Sequence, residues 1–314
     1  MNWGVIVPSV RPASLDEFLK AWMPLFEEHS VSLYVMWDME EKPTRKAYPF
    51  KEFWEENWPS IPEFIPRQTD MIRSWGFYRA WQEGCDYILS LDDDVRPTAG
   101  DIFEAYEFEF QRDNVFSEYL HVGALNSADI PMRGFPYKER WHEVAVQYGG
   151  WYGVPDLDAV TQLHGFKRTL YNVPARVVFP VPRGVPMTTC AMNFAFKREF
   201  TPLMWQMPML QGRYNRFGDI WSGLIQKHTL DLMGKVMLLN QRANVSHARA
   251  SDPFNNLRRE ALGLEVNEGF WNAIKDTVTI EGMWRMLWEY FQTFDREYAD
   301  HLLLCKDKWL ALFS

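Results

Sequence analysis

The stretch Tyr87-Ile88-Leu89-Ser90-Leu91-Asp92-Asp93-Asp94-Val95-Arg96-Pro97 decides how this chain is interpreted. Its apolar first half predicts a buried strand, and that strand runs directly into three consecutive carboxylates. In open α/β sheets, ligands bind beyond the carboxyl ends of the strands, which is where these aspartates fall. Carboxylates fixed there can hold a hard divalent cation, Mg²⁺ or Mn²⁺, against a diphosphate. The alternative is an acidic turn in which an aspartate caps a following helix over 101–111.

The segments before this stretch alternate between apolar runs and helical patterns. The predicted elements are a strand over 5–8, a helix over 15–28, a strand over 31–37, a helix over 69–83 and the strand over 87–91. Ser14 and Glu17 form a predicted capping box for the first helix. This alternation predicts an α/β fold with a mostly parallel, Rossmann-like sheet flanked by helices. A strand that ends in Asp-Asp-Asp is typical of nucleotide-sugar enzymes with a glycosyltransferase A type fold.

The second half of the chain has a long loop-rich segment and a helical end. Residues 123–184 contain many prolines and glycines, and loops of this length are usually functional. A strand over 189–196, a helix over 219–233 and a strand over 236–239 are predicted next, followed by a loop that contains His247. We expect a catalytic domain over 1–253 and a helical, aromatic-rich extension over 254–314. In the extension, Trp284, Trp288 and Phe291 follow helical spacing, which favours packing on the core over an oligomer interface.

Composition excludes several classes of protein. The chain has 314 residues, 47% of them hydrophobic, and a net charge of −9 without a block of basic residues, so polymeric nucleic acid is a disfavoured partner. Its three cysteines, Cys85, Cys190 and Cys305, match neither a zinc site nor a disulfide framework and suit a reducing compartment. Neither a signal peptide nor an apolar run long enough to insert into a membrane is evident. We therefore expect a cytoplasmic protein. Its fifteen tryptophans could pack a core, stack on sugars or line a homo-oligomer contact.

Two further groups of residues could join the aspartates in a site. His247 follows a late strand, and its imidazole could complete a metal site begun by Asp92 and Asp94, or it could be a structural histidine. Arg133 and Arg140 lie seven residues apart in a segment with glycine and proline. Arginine is a planar, permanently charged fork, so this pair could clamp a pyrophosphate or could be solvated surface charge.

Three more carboxylates are candidates for proton transfer. Asp156 and Asp158 could bind sugar hydroxyls or act as a base, or they could stabilise a turn. Asp219 lies at the start of a predicted helix, where a carboxylate is common for capping reasons alone. None of these residues is specific in isolation.

In sequence order, these residues resemble the reversibly glycosylated polypeptides, the UDP-arabinopyranose mutase family best known from plants. The resemblance runs from Val5 to about Trp271. Arg133 and Arg140 reproduce the spacing of two functional arginines, the first of which becomes glycosylated in that family. The other matching segments are Val5-Ile6-Val7-Pro8-Ser9-Val10-Arg11, Pro155-Asp156-Leu157-Asp158-Ala159-Val160-Thr161-Gln162-Leu163, Cys190-Ala191-Met192-Asn193-Phe194-Ala195-Phe196, Arg216-Phe217-Gly218-Asp219-Ile220-Trp221-Ser222-Gly223 and His247-Ala248-Arg249-Ala250-Ser251-Asp252-Pro253-Phe254.

The resemblance implies a site for a UDP-sugar and a role for each matching residue. It implies metal ligation of Mn²⁺ or Mg²⁺ by Asp92, Asp94 and His247. Catalytic roles are implied for Arg133, Arg140, Asp156, Asp158 and Asp219. Nucleotide or substrate contacts are implied for Pro8, Arg11, Asp38, Arg73, Asp93, Asn193 and Arg249. The implied activity is interconversion of UDP-arabinopyranose and UDP-arabinofuranose, with transient glycosylation of Arg133.

The chain departs from the family pattern at two places. The family has two aspartates where this chain has Gly218-Asp219, so one carboxylate is missing. Between the two arginines, Tyr137-Lys138-Glu139 replaces Phe-Ser-Leu and changes the charge beside the expected sugar site. Two alternatives therefore stay open: a glycosyltransferase that moves a sugar from UDP to a separate acceptor, and a non-catalytic partner subunit of such an enzyme.

Overall fold

The computed structural model describes residues 1–43, 53–112, 142–165, 178–210, 213–249 and 251–314. Within these residues, strands and helices alternate over the first third of the chain, and three helices close it. The strands are β1 Trp3–Ser9, β2 Ser32–Trp37, β3 Phe53–Glu56, β4 Tyr87–Leu91, β5 Val95–Pro97, β6 Val144–Gly153, β7 Val178–Pro180, β8 Asn193–Lys197 and β9 Val236–His247. The helices are α1 Pro12–Glu28, α2 Ile72–Gln82, α3 Ile102–Gln111, α4 Ala159–Leu163, α5 Gly218–Leu232, α6 Pro253–Ile274, α7 Ile280–Gln292 and α8 Arg296–Leu310.

The described strands form one sheet in the order β3-β2-β1-β4-β8-β6-β9-β5, with β7 on β9. The predicted α/β class is confirmed. The neighbouring strands β3, β2, β1 and β4 pair parallel, and so do β6 and β9. Strand β8 pairs antiparallel with β4 and β6, and β5 and β7 pair antiparallel with β9. The sheet is therefore mixed rather than mostly parallel, because β8 runs opposite to both of its neighbours.

Side chains of the central strands alternate between two apolar cores, one on each face. In β1, Val5 and Val7 face α1 and α3, whereas Ile6 faces the core that α2, α5 and the C-terminal helices share. This period of two is expected for a strand buried on both faces. Phe291 of α7 is buried in the core that α2, α5 and the C-terminal helices share, and Trp284 and Trp288 of the same helix pack against that core. The predicted packing of α7 on the core is therefore confirmed.

Several predicted boundaries were wrong, each for a local reason. Helix α1 begins at Pro12, whose fixed φ suits a first helical position. Ser14 is therefore inside the helix, and its hydroxyl donates to the backbone carbonyl of Asp93 instead of capping. The glycine-rich stretch that ends at Gly153 belongs to β6 rather than to a loop.

Strand β9 is longer than predicted and ends at His247 itself. Its last residues pair antiparallel with β5, so that His247 lies opposite Val95, the residue directly after the acidic triplet. Strand β6 pairs with the same part of β9, and Gly153 lies opposite His247. Long-range pairing therefore brings the histidine to the aspartates.

Candidate active site

A cleft opens at the edge of the sheet where β1, β2 and β4 end. Its outer section has a volume of about 780 Å³ and reaches from Asp38 to Asp92. Its inner section has a volume of about 300 Å³ and reaches from Asp92 to His247. Both sections are lined by Arg11, Asp70, Arg73, Asp92 and Arg216, so they form one continuous cleft. Its position is the one expected for a ligand site in an α/β sheet.

The three consecutive aspartates take three different positions. Asp92 accepts a hydrogen bond of 2.9 Å from Arg73. Asp93 is only 2% exposed and accepts hydrogen bonds from Ser9 and Arg11, so it ties the end of β4 to the end of β1. Asp94 turns toward the inner section, where Oδ1 lies 4.0 Å from Nε2 of His247. Asp92 and Asp94 thus face the cleft, and Asp93 mainly builds it.

Asp94 and His247 have the chemistry of a divalent-cation site. Nδ1 of His247 lies 2.8 Å from the carbonyl oxygen of Val154, and because a carbonyl only accepts, Nδ1 must donate. Nε2 is thereby left toward Asp94, as in many metal sites. Burial, together with the charge of neighbouring Asp92, raises the pKa of Asp94. A divalent cation would offset this crowding of negative charge, so the residues present fit such an ion. The predicted third ligand, Asp92, is instead directed at Arg73.

Arg73 is the buried cation of the site. It is 4% exposed, and its Nη1 donates to Ser90 Oγ at 2.7 Å and to the Ala191 carbonyl at 2.9 Å. Burial acts to lower the pKa of this guanidinium, but the carboxylates of Asp92 and Asp70 outweigh burial and raise it. The charge is therefore fixed at the junction of the two sections of the cleft.

The outer section ends at Asp38, the residue directly after β2. Its carboxylate accepts hydrogen bonds from Trp58 Nε1 at 2.7 Å and from the backbone amide of Gln68 at 2.9 Å. Burial raises the pKa of Asp38. Pro8, at the end of β1, lines the same section. Pro8 and Trp58 thus give this part of the cleft apolar surface beside the polar Asp38, a combination that can hold a planar base.

Carboxylates also crowd the inner section. Asp219, in the first turn of α5, accepts a hydrogen bond of 3.1 Å from the Ala191 amide. Burial and the nearby charges of Asp70 and Asp156 raise the pKa of Asp219 to about 8. A carboxyl group in this state carries a proton at neutral pH and can donate it. Asp156 accepts from the Cys190 thiol at 3.2 Å at the rim of the section.

Two predicted site residues have structural roles. The carboxylate of Asp158 caps α4 by accepting from the amide and the hydroxyl of Thr161 at 2.9 and 2.6 Å. Asn193, which was predicted as a substrate contact, is 1% exposed and lines neither section of the cleft. Its amide binds the carbonyls of Gly150 and Ala243 and accepts from Tyr106, which joins three elements of the core.

The remaining predicted residues lie at the rim or outside the described part of the chain. Arg11 reaches Asp94 at 3.2 Å, and Arg249 reaches the same carboxylate at 3.5 Å. Both line the inner section. Arg133 and Arg140 lie outside the described residues.

Sequence reasoning missed residues that the fold brings into the cleft. Glu260 of α6 is buried, accepts from Arg216 at 2.6 Å and accepts from the Ala159 amide at 2.7 Å. Arg216 adopts a left-handed backbone conformation, which costs a non-glycine residue on the order of 1 kcal/mol and is common at functional sites. Helix α6 therefore forms one wall of the site. Arg216 could have been noted, because it precedes Phe217-Gly218-Asp219 in a matching segment, but Glu260 gave no signal.

The chain is similar to a known protein family over most of its length. The sequence model of the reversibly glycosylated polypeptide family matches residues 68–283, which is more than half of the chain. The chain belongs to the reversibly glycosylated polypeptide family. The matched region contains the acidic strand end, Arg73, Asp219 and His247, whereas Pro8, Arg11, Asp38 and Trp58 of the cleft lie ahead of it.

The chain is also similar to plant UDP-arabinopyranose mutases. UDP-arabinopyranose mutase 2 of Arabidopsis thaliana is 26% identical over 337 residues, which cover 99% of this chain and 91% of that protein. UDP-arabinopyranose mutase 1 of Oryza sativa subsp. japonica is 27% identical over 279 residues, with coverage of 83% and 73%. A glucosyl-3-phosphoglycerate synthase from Mycobacterium tuberculosis, solved with Mn²⁺ and UDP-glucose, is 12% identical with a TM-score of 0.43, covering 86% of this chain and 79% of that one. The structural likeness is too distant to carry an argument.

Among the described residues, no helix has the length and apolar character needed to span a membrane.

Proposed function

We propose that this protein is a UDP-sugar mutase that interconverts UDP-arabinopyranose and UDP-arabinofuranose. The observation that carries the proposal is the continuous cleft at the carboxyl edge of the sheet, where Asp92, Asp94, Arg73 and His247 converge beside a section rich in carboxylates. Its curated relatives carry the name UDP-arabinopyranose mutase at 26–28% identity. Together these findings support the mutase over other nucleotide-sugar chemistry.

The outer section would hold the nucleotide. Its volume of about 780 Å³ suits a ligand of this size. Trp58 and Asp38 would contact the uracil, and Arg11 and Arg73 would face the diphosphate. Arginine is suited to this contact because its fixed donors match the geometry of phosphate oxygens.

The diphosphate would lie against Asp94 and His247, which would hold Mn²⁺ or Mg²⁺. Asp92 would be a third ligand through Oδ2, because Arg73 binds only its Oδ1. When bound, the cation would neutralise negative charge on the diphosphate as the bond from the anomeric carbon to its oxygen breaks. Arg249 and Arg11, which both contact Asp94, would keep that carboxylate oriented.

The sugar would occupy the inner section. Asp156 and Asp219 face it, and the protonated carboxyl of Asp219 can supply a proton to a sugar oxygen. Asp158 would act indirectly, by fixing the start of α4 beside Asp156. A small, carboxylate-lined section of about 300 Å³ suits a single pentose ring.

Arg133 and Arg140 complete the proposal on sequence resemblance alone. UDP would leave with the electron pair of the anomeric bond, and a nitrogen of Arg133 would bond to the anomeric carbon as it loses a proton. A guanidinium has a pKa above about 12, so a neighbouring base must take that proton. Attack by UDP on the same carbon would later release the arginine, which regains its proton. Arg140 would add a phosphate contact.

The test is incubation with UDP-arabinopyranose and Mn²⁺ without an acceptor, followed by chromatography of the products. Formation of UDP-arabinofuranose is expected, with loss of conversion when Mn²⁺ is removed by a chelator. Hydrolysis or self-glycosylation without ring exchange would contradict the mutase and favour a glycosyltransferase. Failure to bind UDP in the presence of Mn²⁺ would favour a non-catalytic partner subunit.

The proposed role of Arg133 has its own test. We expect Arg133→Ala to abolish ring exchange while UDP binding persists. Arg258→Ala is the matched control, because Arg258 is exposed on α6 and lines neither section of the cleft. Unchanged ring exchange in Arg133→Ala would remove the arginine from the mechanism.

A further inference from the structure

Gly218, the first residue of α5, lies directly against the carboxylate of Asp70. A Cβ atom placed on Gly218 would lie 3.2 Å from Asp70 Oδ2 and 3.4 Å from Asp70 Cβ. A carboxylate attached at position 218 would therefore compete with Asp70 for the same space. Position 218 is also the place where the sequence lacks the first aspartate of the motif that its neighbours match.

Asp70 has the features of a side chain that meets a ligand. It lines both sections of the cleft, at their junction. Asp92, Asp93 and Asp219 all accept hydrogen bonds from neighbouring groups. The carboxylate of Asp70, which is partly exposed to the cleft, accepts none from the described residues. A carboxylate that lines a cleft and has no hydrogen-bond donor from the protein is available to a hydroxyl group of a bound substrate.

Charged side chains of both signs surround Asp70 and affect its ionisation. Burial raises its pKa, the guanidinium groups of Arg73 and Arg216 oppose the rise, and Asp92 adds to it. The charge of Asp70 in turn raises the pKa of Asp219. Two carboxyl groups at one site share a single proton more readily than they both ionise, because like charges repel.

We propose that Asp70 supplies the carboxylate missing at position 218 and acts with Asp219 as the catalytic acid–base pair of sugar ring exchange. The proposal rests on the mutase function proposed above. Asp70 lies just before α2, whereas position 218 is the first residue of α5, so the carboxylate would come from a different part of the chain.

Ring exchange needs one proton given and one proton taken. The bond between the anomeric carbon and the oxygen of the six-membered ring breaks, and its electron pair stays on that oxygen, which gains a proton from one carboxyl group. The hydroxyl oxygen on the fourth carbon of the sugar, counted with the anomeric carbon as the first, bonds to the anomeric carbon and loses its proton to the other carboxylate. Atoms and charge balance, and one shared proton on the pair is enough for both transfers.

The experiment moves the carboxylate from position 70 to position 218. Asp70→Ala is expected to lower kcat for ring exchange by about 100-fold or more, the usual range for loss of an acid–base group. Gly218→Asp alone is also expected to lower it, because two carboxylates then compete for one space. The double variant Asp70→Ala with Gly218→Asp is expected to recover to within about tenfold of wild type.

The matched control is the double variant Asp70→Ala with Gly218→Asn. It restores side-chain volume at position 218 without an ionisable group. Recovery of ring exchange in this control would overturn the catalytic role. Asp70→Asn preserves shape at position 70 and gives a second check, since near-wild-type kcat in a folded Asp70→Asn protein would also overturn the proposal.

Calorimetry separates this proposal from the mutase function itself. If Asp70 contacts the sugar, Asp70→Ala weakens binding of UDP-arabinopyranose but not of UDP, and Gly218→Asp in the same chain restores it. If the wild-type protein shows no ring exchange, the proposed mutase function is refuted. The effect of the variants on binding of UDP-arabinopyranose and UDP can still be measured. Equal effects on both ligands, or none on either, would refute the role of Asp70 whatever the wild type catalyses.

Discussion

At the scale of single residues, Asp219 links the chemistry of the site to its stability. Its folded pKa is about 8, raised by burial and by Asp70, whereas an unfolded aspartate titrates near 3.8. Between these values the folded protein binds more protons than the unfolded chain, so the contribution of Asp219 to stability is lost as pH rises through about 8. Burial of Asp219 therefore costs the folded protein more stability as the pH rises from 3.8 to about 8.

We expect Asp219→Asn to be more stable than wild type, by a margin that grows from pH 5 to pH 8.5. The amide keeps an oxygen for the Ala191 amide but carries no charge. Each pKa unit corresponds to about 1.4 kcal/mol, and coupling to Asp70 reduces the effect, so a gain of about 1–3 kcal/mol at pH 8.5 is reasonable. Urea unfolding at several pH values measures it. Asp158→Asn is the control, because asparagine caps a helix as well as aspartate does and should show no such trend.

The residues that sequence could predict are those that a local pattern marks. Asp92 and Asp94 follow one apolar run, and His247 follows another apolar run near residue 239. Asp70 lies in a polar stretch in which it looks like any residue ahead of a helix, and only the approach of α5 reveals its position. Asn193 belongs to a matching segment, yet β8 turns its side chain into the core. Position along the chain predicted where the cleft lies, but not which side chains point into it.

At the scale of elements, α6 sets the width of the cleft by its close approach to α5. Gly263 of α6 lies against the ring of Phe217, the residue that precedes α5, and a Cβ there would overlap that ring. The same helix provides Glu260, which holds Arg216 and the start of α4. Any shift of α6 would therefore move residues on both sides of the inner section.

We expect Gly263→Ala to destabilise the protein by about 1–2 kcal/mol. Overpacking costs up to about 3 kcal/mol, and alanine regains about 1 kcal/mol in a helix interior. KM for the UDP-sugar should rise as well, because Arg216 moves with Phe217. Gly100→Ala serves as the comparison, since a Cβ there meets nothing within 4 Å and should change stability by less than about 0.5 kcal/mol. Equal stability of the two variants would mean that α6 can shift freely.

The order of the elements was largely predictable because each strand and helix has its own apolar pattern. What could not be predicted depends on pairing between distant segments. Strand β9 continues to His247 because β5 and β6 both pair with its last residues. Helix α1 starts early because Pro12 fits its first turn, and Ser14 is then used to bind the strand end at Asp93.

At the scale of the whole molecule, the C-terminal helices share a core with the sheet. The ring of Trp221 in α5 stacks on Phe270 of α6 at 5.0 Å, and Tyr214 meets Tyr298 of α8 at 4.8 Å. Trp309, near the end of α8, donates to the carbonyl of Pro202 at 2.8 Å. An extension that merely rested on a separate domain would not interleave aromatic side chains in this way.

We therefore expect one cooperative unfolding transition in which the extension and the sheet unfold together. Leu287 of α7 and Leu19 of α1 are both fully buried but lie on opposite faces of the sheet. Replacing either by alanine should cost about 2–5 kcal/mol and shift the same transition. Circular dichroism and hydrogen exchange of peptides from α1 and α7 should report coincident midpoints in each variant. If Leu287→Ala instead caused amides of α7 to exchange early while α1 stayed protected, the C-terminal helices would unfold as an independent unit. Helix α6, which forms one wall of the cleft, could then move separately from the sheet.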